Sequence, residues 1–293
     1  MRTLKFILLI CFLSGCNLLS PQKPTSTIQE ITDATGAKVQ ISIPSKKIVS
    51  LSPGITEGLC ALEKGDCIMA VTDDCSHLPQ VKGKERVGDK GNIFMKNLIR
   101  LSPELVLSTD GDMPEQTITN LRDMGIAVFV LKKCATDKDI WENFRFLGKI
   151  TKSQGESELN ISEADERIDA VAKKIKDNRP KVFWEAGNKP LTTVGMGSYA
   201  DTIIRLAGGI NIVQGKTEFP YYTVPAVINN DPDVIIVSNV SEEGRLRWKQ
   251  IESMSASQNN RIYSVDPRLM NVSTPLALAE AVEKVSELFY PIK

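Results

Sequence analysis

The only histidine of the chain, His77, lies in Thr72-Asp73-Asp74-Cys75-Ser76-His77-Leu78-Pro79, next to two aspartates and a cysteine. A neutral imidazole there can ligate a transition metal axially, or can simply hydrogen-bond within its loop. Asp74 and Arg268 can bond the polar side groups of a ligand, or stand solvated. Phe219-Pro220-Tyr221-Tyr222 puts three aromatics into four residues. Rigid rings give contact area at low entropic cost and suit a large flat ligand; the alternative is packing into the chain's own core. Trp184 follows the β-rich Lys181-Val182-Phe183 and reads equally as a binding-face residue or a core residue. With one histidine and no Gly-x-Ser-x-Gly, a hydrolase triad has little to work with. There is no P-loop, and Gly195-Met196-Gly197 lacks the third glycine of a dinucleotide fingerprint. The residues point to binding without catalysis, and to no resident cofactor or metal.

The elements that must position these residues alternate in type. Lys47-Ile48-Val49-Ser50-Leu51 is a β-rich run; Ser52-Pro53-Gly54-Ile55 breaks it, and Thr56-Glu57 opens a helical stretch ending at Gly65. Later, Leu191-Thr192-Thr193-Val194 is β-rich, Gly195-Met196-Gly197-Ser198 breaks it, and a helix is expected from Tyr199 until Gly208-Gly209. Ser102-Pro103-Glu104-Leu105-Val106-Leu107-Ser108 is echoed by Asp231-Pro232-Asp233-Val234-Ile235-Ile236-Val237-Ser238. Strands alternating with helices predict an α/β class with parallel sheets, and two copies of one scheme predict two lobes. Ligands in such sheets sit beyond the carboxyl ends of the strands. That rule selects Pro53, Gly54, Asp74, His77 and Thr109 from the first half. From the second it selects Trp184, Tyr199, Phe219, Tyr221, Tyr222, Asp266 and Arg268.

Between the halves, Ile161, Ala164, Ile168, Val171, Ala172 and Ile175 recur mostly at three- and four-residue steps, marking one helix face. Acidic residues crowd the start of this stretch and lysines its end, as the helix dipole favours, and Pro180 forbids continuation. The pattern predicts a helix over residues 156–178, acting as a rigid strut of roughly 30 Å with little hinge motion. The expected organisation is a first lobe over 45–152, a linking helix over 153–179 and a second lobe over 180–293. Cys75 and Cys134 each follow an apolar β-run; if those strands are neighbours, a Cys75–Cys134 disulfide is feasible. Cys60 reads as a small buried hydrophobe.

The chain has 293 residues, 36 basic and 36 acidic, which gives no basic stripe for nucleic acid. At its start, Arg2 and Lys5 precede an apolar run from Phe6 that closes in Leu13-Ser14-Gly15-Cys16. Charged residues, a short apolar run and small residues before a cut site form a secretory signal, expected over residues 1–15. Leu-Ser-Gly-Cys resembles the bacterial lipobox, which implies acylation of Cys16, a flexible tether within residues 16–44 and attachment to a membrane by lipid alone.

In order and spacing these segments resemble the helical-backbone class of ABC-transporter substrate-binding proteins, whose members receive vitamin B12, haem and iron-siderophores. The resemblance rests on Lys47 to Glu57, Gly65-Asp66, Ala70 to Pro79, Arg86-Val87-Gly88, Leu101 to Val106, Leu206 to Asn211 and Asp231 to Ile235. It is nearest to the cobalamin type, in which a Thr-Asp-Tyr-Cys-Asp-Tyr-Pro-Pro stretch stands where this chain has Thr72 to Pro79. Here Asp74 and His77 replace the two tyrosines and Leu78 the first proline. The resemblance implies a monomeric extracytoplasmic receptor that binds a corrinoid between two lobes and delivers it to a permease. Haem or a ferric siderophore is the alternative ligand, and a surface lipoprotein for adhesion or sensing the alternative role. Receptors of this class carry one exposed glutamate on each lobe for docking. Those positions align with Lys96 and Pro225, with Glu104 and Glu218 a few residues away.

Overall fold

The computed structural model describes residues 26–238, 242–270 and 272–291, so the expected signal and Cys16 lie outside the described residues. The chain enters through an antiparallel hairpin, β1 (Thr27–Thr32) and β2 (Lys38–Ile43). The first lobe then runs β3 (Ile48–Ser50), α1 (Pro53–Ala61), β4 (Ile68–Val71), β5 (Glu85–Arg86), β6 (Gly88–Asp89), β7 (Asn92–Ile93), α2 (Met95–Leu101), β8 (Leu105–Thr109), α3 (Glu115–Asp123) and β9 (Val128–Leu131). Its sheet is parallel, in the order β5-β4-β3-β8-β9. β3 and β9 are buried at every residue, as continuous apolar strands covered on both faces must be.

Two helices, α4 (Asp137–Thr151) and α5 (Gln154–Ala172), lead to the second lobe. That lobe holds β10 (Lys181–Asn188), β11 (Leu191–Thr193), α6 (Tyr199–Leu206), β12 (Ile210–Asn211), α7 (Val224–Asn230), β13 (Val234–Val237), α8 (Glu242–Lys249), α9 (Ser255–Gln258), β14 (Ile262–Ser264) and α10 (Pro275–Phe289). The parallel order β12-β10-β13-β14 repeats β4-β3-β8-β9, so the fold is α/β with two related lobes.

The sequence echoes divide on this topology. The 191–194 run is not the counterpart of β3. It forms β11, which runs antiparallel to β10 after the short Lys189-Pro190 reversal, and β10 itself takes the central place. A two-residue reversal can only return the chain antiparallel; parallel neighbours need a long crossover. The second echo holds. α2 and α7 each end on a left-handed residue that is not glycine, Ser102 at φ 45° and Asp231 at φ 42°. Each is followed by proline and then by the second-ranked strand of its sheet, β8 or β13. Asp231 offsets the conformational cost by accepting bonds from the Ser255 backbone N–H and hydroxyl, both at 2.7 Å.

α5 buries Ser157, Ile161, Ala164, Ile168 and Val171, four of them on the face read from the sequence. It ends six residues before the expected boundary. Beyond Ala172 the backbone tightens into three-residue turns, Lys174 N–H to Val171 and Ile175 N–H to Ala172, which swing Ile175 onto Gly208 of the second lobe. At 19 residues α5 is about 28 Å long. It packs on α4 along one side and on α10 along another. Trp141 of α4 donates to Asp165 at 3.0 Å, and Arg167 forks onto Glu283 of α10 at 3.0 and 2.6 Å. One apolar cluster therefore runs unbroken from Ile48, Leu105 and Leu131, through Phe144, Ile161 and Ile168, to Val182, Ile236 and Val285. The outer face of each sheet has its own separate core.

The α4–α5 contact depends on a missing side chain. A Cβ on Gly148 would lie 2.6 Å from Ser157 Oγ and 3.1 Å from the Ser153 carbonyl. Gly148→Ala is expected to destabilise the fold by roughly 1–3 kcal/mol, since the packed helices must part. Gly155→Ala, on α5 with nothing within 4 Å of its Cβ, is expected to gain up to about 1 kcal/mol from helix propensity. Urea unfolding of both variants reads the difference; equal midpoints would contradict the close approach.

Candidate functional site

At the carboxyl end of the first sheet, a hydroxyl network fixes the turn that opens α1. Ser52 Oγ accepts from the Thr109 N–H at 2.9 Å, which ties the β3 and β8 loops together. Thr56 donates to Ser50 Oγ at 2.9 Å, and all three hydroxyl residues are buried. Pro53 starts the helix, where its missing N–H costs nothing. The 73–79 loop is held to the same face. Asp74 accepts from the Lys90 N–H at 3.0 Å, and the Lys90 ammonium reaches Asp112 at 3.1 Å. His77 Nδ1 lies 2.9 Å from the Asp74 carbonyl, and its Nε2 lies 3.6 Å from Glu57 of α1. Pro53, Gly54, Asp74, His77 and Thr109 thus lie in one connected patch, with Asp74 and His77 exposed.

Contacts cross between the lobes on two sides of this patch. On one, Glu57 accepts a hydrogen bond from Ser273, and a Cβ on Gly54 would lie 2.9 Å from Ser273 Cβ. On the other, Thr202 donates to the Ala135 carbonyl at 2.7 Å, and Lys133 pairs with Glu218 at 2.5 Å. Tyr199, at the start of α6, is wedged against Cys134. Burial first, then that thiol and the charges of Asp139 and Asp112, push its hydroxyl above the ordinary tyrosine value, so it stays protonated.

Next to Glu218 the chain runs as an added strand along β11. Gly195 N–H bonds to Glu218, Thr193 N–H to Pro220, and Tyr222 N–H to Leu191. Side chains on such a segment alternate. Phe219 is 44 % exposed and Tyr221 77 %, whereas Tyr222 turns inward to pack on Phe183 at 5.8 Å between ring centroids. Gly195 is required here, because a Cβ would fall 2.0 Å from the Thr217 carbonyl.

The remaining residues chosen from sequence sit elsewhere. Trp184 is fully buried and donates to Ser238 at 3.0 Å, so it belongs to the core of the second lobe. A strand residue on an inner face of a covered sheet has no route to the cleft. Arg268 binds Asp266 through its backbone and its guanidinium, which holds the Asp266 carboxyl at about 2. Both line a cavity of about 560 Å³ against α10, shared with no residue of the first lobe. Thr109 also lines a second cavity of about 600 Å³, under the turn of the β1–β2 hairpin. The end of β10 is held by Arg247 of α8. Asn188 accepts from Arg247 at 2.6 Å, and the same guanidinium grips the buried Glu185 at 2.8 and 2.9 Å. Burial pushes Glu185 up, against bonds from Trp248 and Arg247.

The expected disulfide is absent: Cys75 and Cys134 are both free and buried. β4 and β9 are not neighbours, because β3 and β8 lie between them. Cys75 instead lies 3.3 Å from the Thr56 hydroxyl, and Cys134 accepts from Asn143 at 2.9 Å. Cys60 is only half-buried. Lys96, Pro225 and Glu104 are exposed; Glu218 is committed to Lys133. Glu57, Lys133 and Ser273 were not singled out from sequence. Glu57 had one signal, its place a single helical turn after Pro53. Among the described residues no helix is long and apolar enough to cross a membrane, and no group of three metal-ligating side chains occurs.

Residues 48–269 match the periplasmic binding protein family model. The chain belongs to that family of extracytoplasmic binding proteins and is not an enzyme. It is 28% identical over 303 residues to an uncharacterised ABC transporter substrate-binding lipoprotein, YvrC of Bacillus subtilis, with 97% of this chain and 95% of that protein covered. It is 25% identical over 245 residues to the vitamin B12-binding protein of Vibrio cholerae, covering 83% and 88%. The haem-binding protein HutB of Vibrio cholerae superposes with a TM-score of 0.73 at 22% identity, over 84% of this chain and 99% of that one.

The thiol assignment is directly testable. Alkylation of the unfolded, unreduced protein should label Cys75 and Cys134 individually. In the folded protein Cys134 should react slowly, because burial raises its thiol above the usual range and little thiolate forms. A Cys75–Cys134 linked peptide in a non-reducing digest would reverse the assignment.

Proposed function

We propose that this protein is the lipid-anchored receptor of an ABC importer, binding a corrinoid between its two lobes. The observation that carries the ligand class is the pair of outward rings, Phe219 and Tyr221, on the segment that begins at the interlobe contact of Glu218. Apolar rings this exposed offer a stacking wall for a broad flat ligand. The first lobe supplies a polar patch of Asp74, His77, Lys90 and Asp112, suited to hydrogen-bonding a periphery of amides. The relationship to a vitamin B12-binding protein over most of the chain supports the same reading.

Haem is the second reading. It is favoured by His77, whose Nδ1 is engaged by a backbone carbonyl, so that Nε2, now facing Glu57 at 3.6 Å, is the nitrogen a metal would take. Such a second partner orients an imidazole for axial ligation. Tyr199 has a smaller role in either case, because its hydroxyl is taken up between the lobes.

Calorimetric and visible-absorption titrations with cobalamin and with haemin separate the readings. Cobalamin should bind, and Tyr221→Ala or Phe219→Ala should weaken it about tenfold or more, the scale of losing one aromatic anchor. Tyr222→Ala should act mainly on stability, through its contact with Phe183. Haemin binding without cobalamin binding would move the assignment to haem. Binding of neither would favour a surface role in adhesion or sensing.

Membrane attachment follows from Cys16. Cys16→Ser is expected to leave the protein unacylated and to release it from the membrane fraction. An intact mass showing unmodified Cys16 in the native host would remove the lipid anchor.

A further inference from the structure

Glu57 is the only described carboxylate that touches the 73–79 loop of its own lobe and the opposite lobe together. One oxygen, Oε1, faces His77 Nε2 at 3.6 Å, and the other, Oε2, accepts from Ser273 Oγ. His77 is in turn fixed through Nδ1 to the Asp74 carbonyl. A carbonyl only accepts, so the neutral ring carries its proton on Nδ1 and turns its bare nitrogen toward Glu57; the protonated ring pairs with it. Asp74 is itself anchored by the Lys90 N–H. Glu57 is half-buried on α1, which limits the positions its carboxylate can take. Ser273 stands immediately before Thr274, the residue that caps α10. The contact therefore reaches from a loop tip of the first lobe to the helix that packs along α5.

We propose that Asp74, His77, Glu57 and Ser273 form a latch that couples the 73–79 loop to the second lobe, with Glu57 and Ser273 as positioning residues. Gly54 makes the latch possible, since any side chain there would push Ser273 away. The proposal rests on the receptor reading in one respect: a ligand held at this face that moves His77 takes away the imidazolium that pairs with Glu57 Oε1 when the ring is protonated, and leaves Ser273 as the partner of the carboxylate. Occupancy of the first lobe is then felt at the start of α10. The coupling itself exists without ligand.

The single histidine makes the test clean, because its ring gives one set of NMR signals. In the full-length protein without ligand, Ser273→Ala should shift the His77 ring signals, although Ser273 sits on the other lobe. Glu57→Gln should shift them further. Amide exchange at the first turn of α10 should quicken in Glu57→Gln. Gln250→Ala, an exposed second-lobe change, should leave the ring signals in place. Circular dichroism melts confirm that each variant is folded. Ring signals unmoved by Ser273→Ala in a folded protein would overturn the latch. If they move but neither cobalamin nor haemin binds, the latch stands and the receptor reading fails alone.

Discussion

The arrangement depends on one constraint: both sheets bury one face against the same set of helices. α4, α5 and α10 sit between the lobes, and the apolar cluster does not break where the chain passes from one to the other. Two lobes joined by a strand pair could rotate at the cost of a few backbone torsions. Two lobes that share a core cannot part without exposing Phe144, Ile161, Ile168 and Val285 to water. Burying one such side chain is worth roughly 1.5–3 kcal/mol, so a wide opening is far above thermal energy. The motion such a shared core favours is a small sliding of packed helices. The Arg167–Glu283 fork and the Trp141–Asp165 bond add direction to what burial provides in bulk.

The shared core makes the way the lobes meet a property of the folded chain. Direct contacts add to it: Glu57 with Ser273, Lys133 with Glu218, and Thr202 with the Ala135 carbonyl. Gly54 and Gly148 serve this geometry in the same way, at two different depths. One allows the loop tips to meet, and the other allows α4 and α5 to lie close enough to form a single block.

Much of this was legible in the sequence where the pattern was local. The apolar face of α5 could be read at four positions, because a helix repeats its own register. The Pro-initiated strands β8 and β13 could be read because a helix end, a proline and an apolar run each leave a local mark. What failed was non-local. Cys75 and Cys134 follow similar strands, and only strand order separates them; order is decided by crossovers that leave no trace at the cysteines. Trp184 and Tyr222 are aromatic in equal measure to Tyr221, and the register of β10 and the added strand decides which face each takes. The 191–194 run was read as a parallel strand because its composition is right; Lys189-Pro190 reverses the chain and makes it an edge.

The candidate site follows the same division. Its first-lobe members were chosen as a group because each lies at or just past the carboxyl end of a parallel strand, a rule that needs only strand positions. Its second-lobe members were harder, because that lobe adds β11 and a further segment at its edge, moving the aromatics from a loop tip to a strand-like wall. Asp266 and Arg268 show the limit of the rule. They do follow β14, yet their charges are complementary and two residues apart, so each is already the other's partner. Position beyond a strand end makes a residue available; whether it stays available is decided by its neighbours. By that standard the first lobe offers polar groups held by one another but still open to solvent, and the second offers bare rings. On the receptor reading proposed above, a ligand suited to both would have a flat apolar body and a polar rim.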